Sequence, residues 1–150
     1  FYSFITEKVE GTRLMSLAEM LDTVEDKAAF EEMLQSLDAP AFAIRNPTCT
    51  GKLQRRESLA VEELKFLRSL TDRPVKVTLP GPYLLTRAMW VTAYSVDAYG
   101  DKPAMADDIV AILREELSEL IAENVEFIQF DEPVLTEIVH SGDDKRRTFM

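Results

Sequence analysis

Residues 125–133 read Val-Glu-Phe-Ile-Gln-Phe-Asp-Glu-Pro, a nearly continuous apolar run that ends in two carboxylates and a proline. Strands that are buried on both faces of a parallel sheet have this pattern. A second strand is predicted where Val75, Val77 and Leu79 alternate with polar residues and run into Pro80-Gly81-Pro82. The sequence therefore indicates two core strands, each of which leads directly into an unusual turn.

Helical periodicity fills the stretches around these strands. Leu59 to Leu70 predicts a helix with Ser58 as its N-cap, and the aromatic stretch Tyr83 to Tyr99 predicts one buried helix that ends at Gly100. Ala104 to Asn124 predicts the clearest helix, with acidic residues on its water-facing side. Its apolar stripe is expected to consist of Ile109, Ile112, Leu113, Leu117, Leu120 and Ile121.

The first part of the chain is predicted to be mainly helical. Phe1 to Val9 fits either a strand or an irregular segment. Leu14 to Leu37 has helical spacing, interrupted by a new helix start at Thr23. Ala41 to Arg45 then predicts a short strand, and Asn46-Pro47 favours an extended exit into a loop.

Strands that alternate with helical crossovers indicate a parallel sheet and an α/β fold class. A doubly wound sheet would more often carry a glycine-rich phosphate loop, and no such motif occurs in the chain. We therefore expect a TIM-barrel-like (β/α)8 fold. A complete barrel takes roughly 250 residues, so residues 1–150 should form one partial barrel of about half that size. Within it we expect a helical opening segment at 1–40, βα units at 41–137 and a polar tail at 138–150.

Composition limits the partners and the compartment. The 27 acidic residues outnumber the 17 basic ones, and the net charge of -10 repels nucleic-acid phosphates. No apolar run is long enough to span a membrane, and no signal-peptide pattern is present. The single cysteine, Cys49, cannot form an internal disulfide. We expect a cytoplasmic protein that binds neither nucleic acid nor membrane.

Two turns are candidates for a functional site, because barrel enzymes place their chemistry at the carboxyl ends of strands. Asp131-Glu132 could anchor a substrate ammonium or act as acid or base. The same pair could instead cap a helix N-terminus, where anions are stabilised. The turn at Pro80-Gly81-Pro82 leaves room for a ligand, or is simply a stiff connection.

Two further groups have two interpretations each. Arg45, with Lys52, Arg55 and Arg56, could hold a carboxylate-rich ligand or form an ordinary solvated face. Trp90 and Tyr94 lie one helical turn apart and could stack on a planar ring or pack in the core. His140 has no acid or nucleophile at a telling spacing, and we assign it no role.

Three blocks of the chain resemble, in order and at similar spacing, the C-terminal barrel of cobalamin-independent methionine synthase. They are residues 59–76, 78–82 and 127–137, and the most specific element is the Ile-Gln-x-Asp-Glu-Pro segment in the last block. The resemblance spans roughly residues 41–137. It implies transfer of a methyl group from a methyltetrahydrofolate polyglutamate to the thiol of homocysteine, with a zinc ion that holds the thiolate.

The resemblance also implies roles for individual residues. Asp131 matches the aspartate that holds the ammonium of the amino-acid substrate, and Glu137 matches a glutamate that contacts the folate. Phe42 and Ala43 fall where the family's strand ends contact the folate, and Trp90 stands in for its pterin-stacking tryptophan. The family's zinc ligands follow the Asp-Glu-Pro segment at a distance longer than the remaining tail. Zinc is thus the cofactor expected for the family, although we assign no metal ligand to this chain.

Two other function classes stay open. The chain could be a non-catalytic module or decayed barrel that binds a folate or an amino acid, or a barrel that handles a corrinoid or porphyrin. For the methyltransferase interpretation the expected partners are small molecules, namely homocysteine and methyltetrahydrofolate. A half-barrel would also leave unpaired strand edges, which favour self-association.

Overall fold

The computed structural model describes residues 2–23, 27–28, 32 and 45–135, which form a mixed α/β fold. The strands are β1 (Val9–Ser16), β2 (Arg45–Arg55), β3 (Lys76–Pro80) and β4 (Phe127–Asp131). The helices are α1 (Tyr2–Glu7), α2 (Leu17–Met20), α3 (Val61–Leu70), α4 (Pro82–Met89), α5 (Thr92–Tyr99) and α6 (Lys102–Ala122), and a 3-10 turn covers Leu21–Thr23. Residues 27–28 and 32 are also helical.

The described strands form two separate sheets. β3 and β4 are parallel, with Lys76 opposite Phe127 and Pro80 opposite Asp131, as the helical crossover between them predicts. β1 and β2 are antiparallel, and Ser16 lies opposite Arg45. Of the strand predicted at Ala41 to Arg45, only Arg45 is among the described residues, and it lies in this antiparallel pair. The loop expected after Asn46-Pro47 is wrong, since β2 continues through Arg55.

The beginning of the chain differs from its prediction. Residues 2–7 form a helix, and residues 9–16, most of which were expected to be helical or irregular, form β1. The helical stretch predicted from Leu14 begins only at Leu17. Ser16 explains this start, because it forms a capping box with Glu19: the Ser16 side chain accepts from Glu19 N, and Ser16 N donates to the Glu19 carboxylate at 2.8 Å.

The middle helices have different boundaries from those predicted. α3 begins at Val61, and its N-cap is Ala60 without a side-chain hydrogen bond, so Ser58 is not the cap. The aromatic stretch forms two helices, α4 and α5, because the backbone is extended at Trp90 and Val91. α5 ends at Gly100 as predicted: its φ of 76° is in the left-handed region, and its N–H donates to Val96 O at 2.7 Å.

The core lies between β2, β3 and the helices that cross them. α6 contributes most of its predicted stripe, although Ile121 is 60% exposed. Hydrogen bonds tie α4 and α5 to β2: Asn46 Nδ2 donates to Ala88 O at 2.7 Å, and Ser95 Oγ donates to Cys49 O at 2.9 Å. The largest fully buried apolar side chains are Met15, Leu59, Leu64, Leu79, Met89, Met105, Ile109 and Leu120.

β4 is much more exposed than its sequence suggests. Phe127 is 63% exposed and Phe130 is 41% exposed, so burial on both faces was a wrong expectation. The reason is that, within the described residues, β4 pairs only with β3 and the strands do not close into a barrel. None of the described helices is both long and apolar enough to cross a membrane.

Candidate functional site

The two turns that the sequence singles out lie side by side. β3 and β4 are parallel and in register, so their carboxyl ends meet at one edge of the sheet. Gly81 N donates a hydrogen bond to Asp131 O at 2.8 Å. We refer to Pro80, Gly81, Asp131 and Glu132 together as the carboxyl-end site.

Glu132 caps helix α4. One carboxylate oxygen accepts from Tyr83 N at 2.7 Å and the other accepts from Leu84 N at 2.8 Å. The N-cap of this helix is Gly81, which has no side chain to accept these donors. The negative charge of Glu132 also complements the positive end of the helix dipole. The capping interpretation of the acidic pair is therefore correct for Glu132, and the helix it caps lies 49 residues earlier in the chain.

Gly81 is needed for this contact. Its φ of -76° and ψ of 162° suit any residue, so its backbone conformation does not require glycine. A Cβ on residue 81 would lie 2.1 Å from Glu132 Oε1 and 2.4 Å from Glu132 Cγ. The missing side chain at Gly81 thus makes room for Glu132.

Asp131 does not take part in the cap. It is half-buried, and its Oδ1 accepts from Gln129 Nε2. Gln129 Oε1 in turn accepts from Lys76 Nζ at 2.8 Å. The lysine bond fixes which end of the Gln129 amide faces Asp131. A carboxylate can accept about four hydrogen bonds, so Asp131 has capacity for a cationic group such as an ammonium.

The basic residues do not form one ligand site. Arg55 binds Glu116 and Glu119, with N···O distances of 2.7 and 2.6 Å. Lys52 Nζ lies 3.8 Å from the centroid of the Tyr99 ring. Arg45 is exposed at the far end of β2, in the sheet that does not contain Asp131. The ordinary solvated face expected of these residues fits Lys52, whose side chain is 67% exposed, but not Arg55, whose side chain is only 11% exposed.

Trp90 lies at the opposite end of α4 from Gly81. An eight-residue helix is roughly 12 Å long, and that length separates the two. The Trp90 ring is partly buried against the core, and its Nε1 donates to Thr92 Oγ1 at 3.2 Å. The other candidates for substrate contacts, Phe42, Ala43 and Glu137, lie outside the described residues, as does His140.

Sequence reasoning missed the buried carboxylate of Glu116. It is fully buried and accepts from Leu59 N at 2.6 Å and from Ala60 N at 2.7 Å, in addition to its bond with Arg55. It thereby satisfies the backbone at the start of α3. A helical wheel could have found it, since residue 116 lies three and four positions from Leu113 and Leu120, on the apolar stripe.

The described residues do not fit a zinc site. Cys49 is buried, its Sγ lies 3.3 Å from Gly51 O, and burial raises the pKa of its thiol. Zinc binds the thiolate form. Within residues 2–23, 27–28, 32 and 45–135, no group of three His, Cys, Asp or Glu side chains could hold a metal ion. We therefore assign no zinc-dependent step to these residues.

The curated relatives that comparison with known proteins finds share one enzyme name. A curated 5-methyltetrahydropteroyltriglutamate–homocysteine methyltransferase from Citrobacter koseri is 35% identical over 94 residues, 63% of this chain and 12% of that protein. The enzyme of the same name from Saccharomyces cerevisiae is 34% identical over 94 residues, also 63% of this chain and 12% of that protein. This chain therefore spans about 12% of the length of these relatives.

A solved structure agrees with these relatives. It is a B12-independent methionine synthase from Shewanella sp. W3-18-1 in complex with selenomethionine, with 29% identity and a TM-score of 0.57. The match covers 87% of this chain and 32% of that one. The sequence model described as "Cobalamin-independent synthase, Catalytic domain" matches residues 6–149. With nearly the whole chain matched, this protein belongs to the cobalamin-independent methionine synthase catalytic-domain family.

Proposed function

We propose that this chain is a central section of a (β/α)8 barrel that transfers a methyl group from methyltetrahydropteroyltriglutamate to the thiol of homocysteine, which yields methionine. The names of its relatives support this reaction. The single observation that carries the proposal is the carboxyl-end site. It has the location where barrel enzymes bind their substrates, and it contains a carboxylate, Asp131, beside a glycine turn.

In this proposal Asp131 binds the ammonium of homocysteine. Its carboxylate is half-buried and is oriented by Gln129, so it can form a charge-assisted hydrogen bond of defined direction. Anchoring the amino-acid end places the thiol at a fixed distance from the methyl donor, and such positioning supplies much of the rate in a two-substrate reaction. The sulfur gains the methyl group and loses its proton, and the donor nitrogen loses its methyl group and gains a proton.

The methyl donor would contact other residues of the chain. We assign Phe42, Ala43 and Glu137 to folate contacts and Trp90 to the pterin ring, because each matches a family position with that role. Trp90 packs against the core at the opposite end of α4 from Gly81, so its assignment rests on the family position alone. The same proposal places the reaction in the cytoplasm, where a chain with one thiol stays reduced.

Substitution of Asp131 tests the proposed function. In the native gene product, Asp131→Asn should raise the KM for homocysteine by roughly 10- to 100-fold, because a charged hydrogen bond contributes about 1.5–3 kcal/mol. The matched control is Asp97→Asn, which changes an exposed aspartate on α5 and should leave the KM unchanged. Methionine formation, followed with labelled methyl donor, is the measurement.

An unchanged homocysteine KM in Asp131→Asn would contradict the assignment of Asp131. The proposed reaction itself would be contradicted by a native gene product that forms no methionine although calorimetry shows that it binds methyltetrahydrofolate or homocysteine. The latter result would instead indicate the non-catalytic binding module.

A further inference from the structure

We propose that Glu132 is a positioning residue for the amino-acid substrate. Its side chain holds the end of β4 against the first turn of α4 and so fixes the position of Asp131, the residue before it. This inference rests on the proposed function, since it assumes that Asp131 binds the ammonium. Glu132 itself is not assigned a contact with substrate.

Three hydrogen bonds connect the end of β4 to the start of α4. Gly81 N donates to Asp131 O at 2.8 Å, and Tyr83 N and Leu84 N donate to the two oxygens of Glu132. The backbone of Asp131 is therefore held on one side by its own carbonyl and on the other by the side chain of its neighbour. Loss of the Glu132 bonds would release the chain immediately after Asp131 while leaving the Asp131 side chain intact.

The contact of Glu132 with the start of α4 depends on the absence of a side chain at Gly81. Glu132 Oε1, Cδ and Cγ all lie within 2.4 Å of the point that a Cβ on residue 81 would occupy. Any side chain at residue 81 would have to displace the whole end of Glu132. Since the backbone of Gly81 is in an ordinary region, Gly81→Ala should act almost entirely through this displacement.

The same strand pair provides a control at its other end. The Glu126 carboxylate, just before β4, accepts from Val75 N at 3.2 Å, just before β3, and also binds Arg68 at 3.1 Å. Glu126 and Glu132 thus make similar carboxylate-to-backbone contacts at opposite ends of β3 and β4. Only Glu132 lies at the carboxyl end. A comparison of the two separates positioning of substrate from general stabilisation of the strands.

The experiment compares Glu132→Gln with Glu126→Gln in the native gene product. Glu132 uses both carboxylate oxygens, so Glu132→Gln, which has one acceptor oxygen, loses one of its two bonds to the α4 backbone. Glu126 uses only Oε2 for Val75 N and Arg68, so Glu126→Gln keeps an acceptor and loses the negative charge that pairs with Arg68. Both variants should therefore melt at a lower temperature. We expect Glu132→Gln alone to raise the KM for homocysteine by about tenfold. Its kcat and its KM for the methyl donor should stay within about twofold of the unsubstituted protein.

Gly81→Ala provides a second route if Glu132→Gln fails to fold. It keeps the Glu132 charge, and we expect a similar rise in the homocysteine KM. In a Glu132→Ala background, Gly81→Ala should cause no further rise, because the side chain that it displaces is gone. An effect of equal size in both backgrounds would overturn the inference.

The inference is also overturned if Glu132→Gln folds and leaves the homocysteine KM unchanged, or if Glu126→Gln raises it equally. Asp131→Asn distinguishes this failure from failure of the proposed function. If Asp131→Asn impairs homocysteine use and Glu132→Gln does not, only the positioning role is wrong. If neither variant changes homocysteine use, the assignment of Asp131 itself is wrong.

Discussion

At the scale of single residues, the protein relies on carboxylates that accept backbone N–H groups far away in the sequence. Glu116 accepts from Leu59 N and Ala60 N, and Glu132 accepts from Tyr83 N and Leu84 N. Glu132 satisfies donors in the first turn of α4, and Glu116 satisfies the N–H groups of Leu59 and Ala60, the two residues just before α3. Neither helix has a side-chain hydrogen bond from its own N-cap, and the first N–H groups of a helix lack an intrahelical partner.

Glu116 is the residue whose loss should destabilise the fold most clearly. It is fully buried and shares Arg55 with Glu119. Glu116→Gln should lower the free energy of unfolding by about 3 kcal/mol, because removal of one partner leaves buried polar groups uncompensated. The midpoint of urea unfolding, with an unchanged m-value, measures this loss.

Glu119→Gln is the matched control for this ion pair. The Glu119 side chain is largely exposed, so the same substitution should cost less than about 1 kcal/mol. Hydrogen bonds from Arg55 hold the pKa of Glu119 below its ordinary value of 4.5. Its contribution is therefore fully present above that pH and is lost as the pH falls through the lowered value, so both variants are compared at pH 7. Equal losses in the two variants would contradict a special role for Glu116.

At the scale of helices and strands, the sequence predicted the elements with strong periodicity. β3, α6 and the end of α5 at Gly100 were predicted because each has a clear pattern and a clear stop. β2 was missed because its buried positions include Asn46, Pro47 and Thr48. Residues 46–49 are buried on both faces of the strand. The polar residues and the proline among them interrupt the apolar pattern that identifies a strand.

The carboxyl-end site was predictable only in part. Parallel strands that end in unusual turns predict that the turns of Gly81 and Asp131 are neighbours, and the structure confirms this. The division of roles within the acidic pair was not predictable, because it depends on which side chain faces α4. That orientation follows from the pairing of β3 with β4, a contact between residues 51 positions apart, such as Pro80 and Asp131.

The N-terminus of α6 allows a test at the element scale. Asp101 is its N-cap, and Oδ1 accepts from Ala104 N at 2.9 Å. Asp101→Ala should lower the free energy of unfolding by about 1 kcal/mol, because the cap bond and the favourable charge at the helix start are lost. Asp107→Ala, an exposed change within the same helix, should change stability by less than half as much. Thermal unfolding of the two variants decides the point, and equal shifts in Tm would show that the cap is unimportant.

At the scale of the whole molecule, the two sheets share one core but differ in how completely other elements cover them. The antiparallel pair of β1 and β2 is covered by α4 and α5, which bond to β2 through Asn46 and Ser95. The parallel pair is covered on one face, where Val77 and Leu79 of β3 are buried. β4 has no second strand partner within the described residues, and it carries two exposed phenylalanines. An edge that combines unpaired backbone groups with exposed apolar side chains tends to pair with another strand.

This open edge predicts that the 150-residue chain on its own self-associates, with β4 of one copy against β4 of another. Phe127→Lys should weaken the association, because a charged residue on an edge strand opposes pairing with a second copy. Phe66→Lys is the matched control: Phe66 is 67% exposed, close to Phe127, but it lies on α3 rather than on a strand edge. Sedimentation velocity across a concentration series should show a weaker dimer for Phe127→Lys alone. A monomer at every concentration, or equal weakening by both substitutions, would mean that the β4 edge is not the site of association.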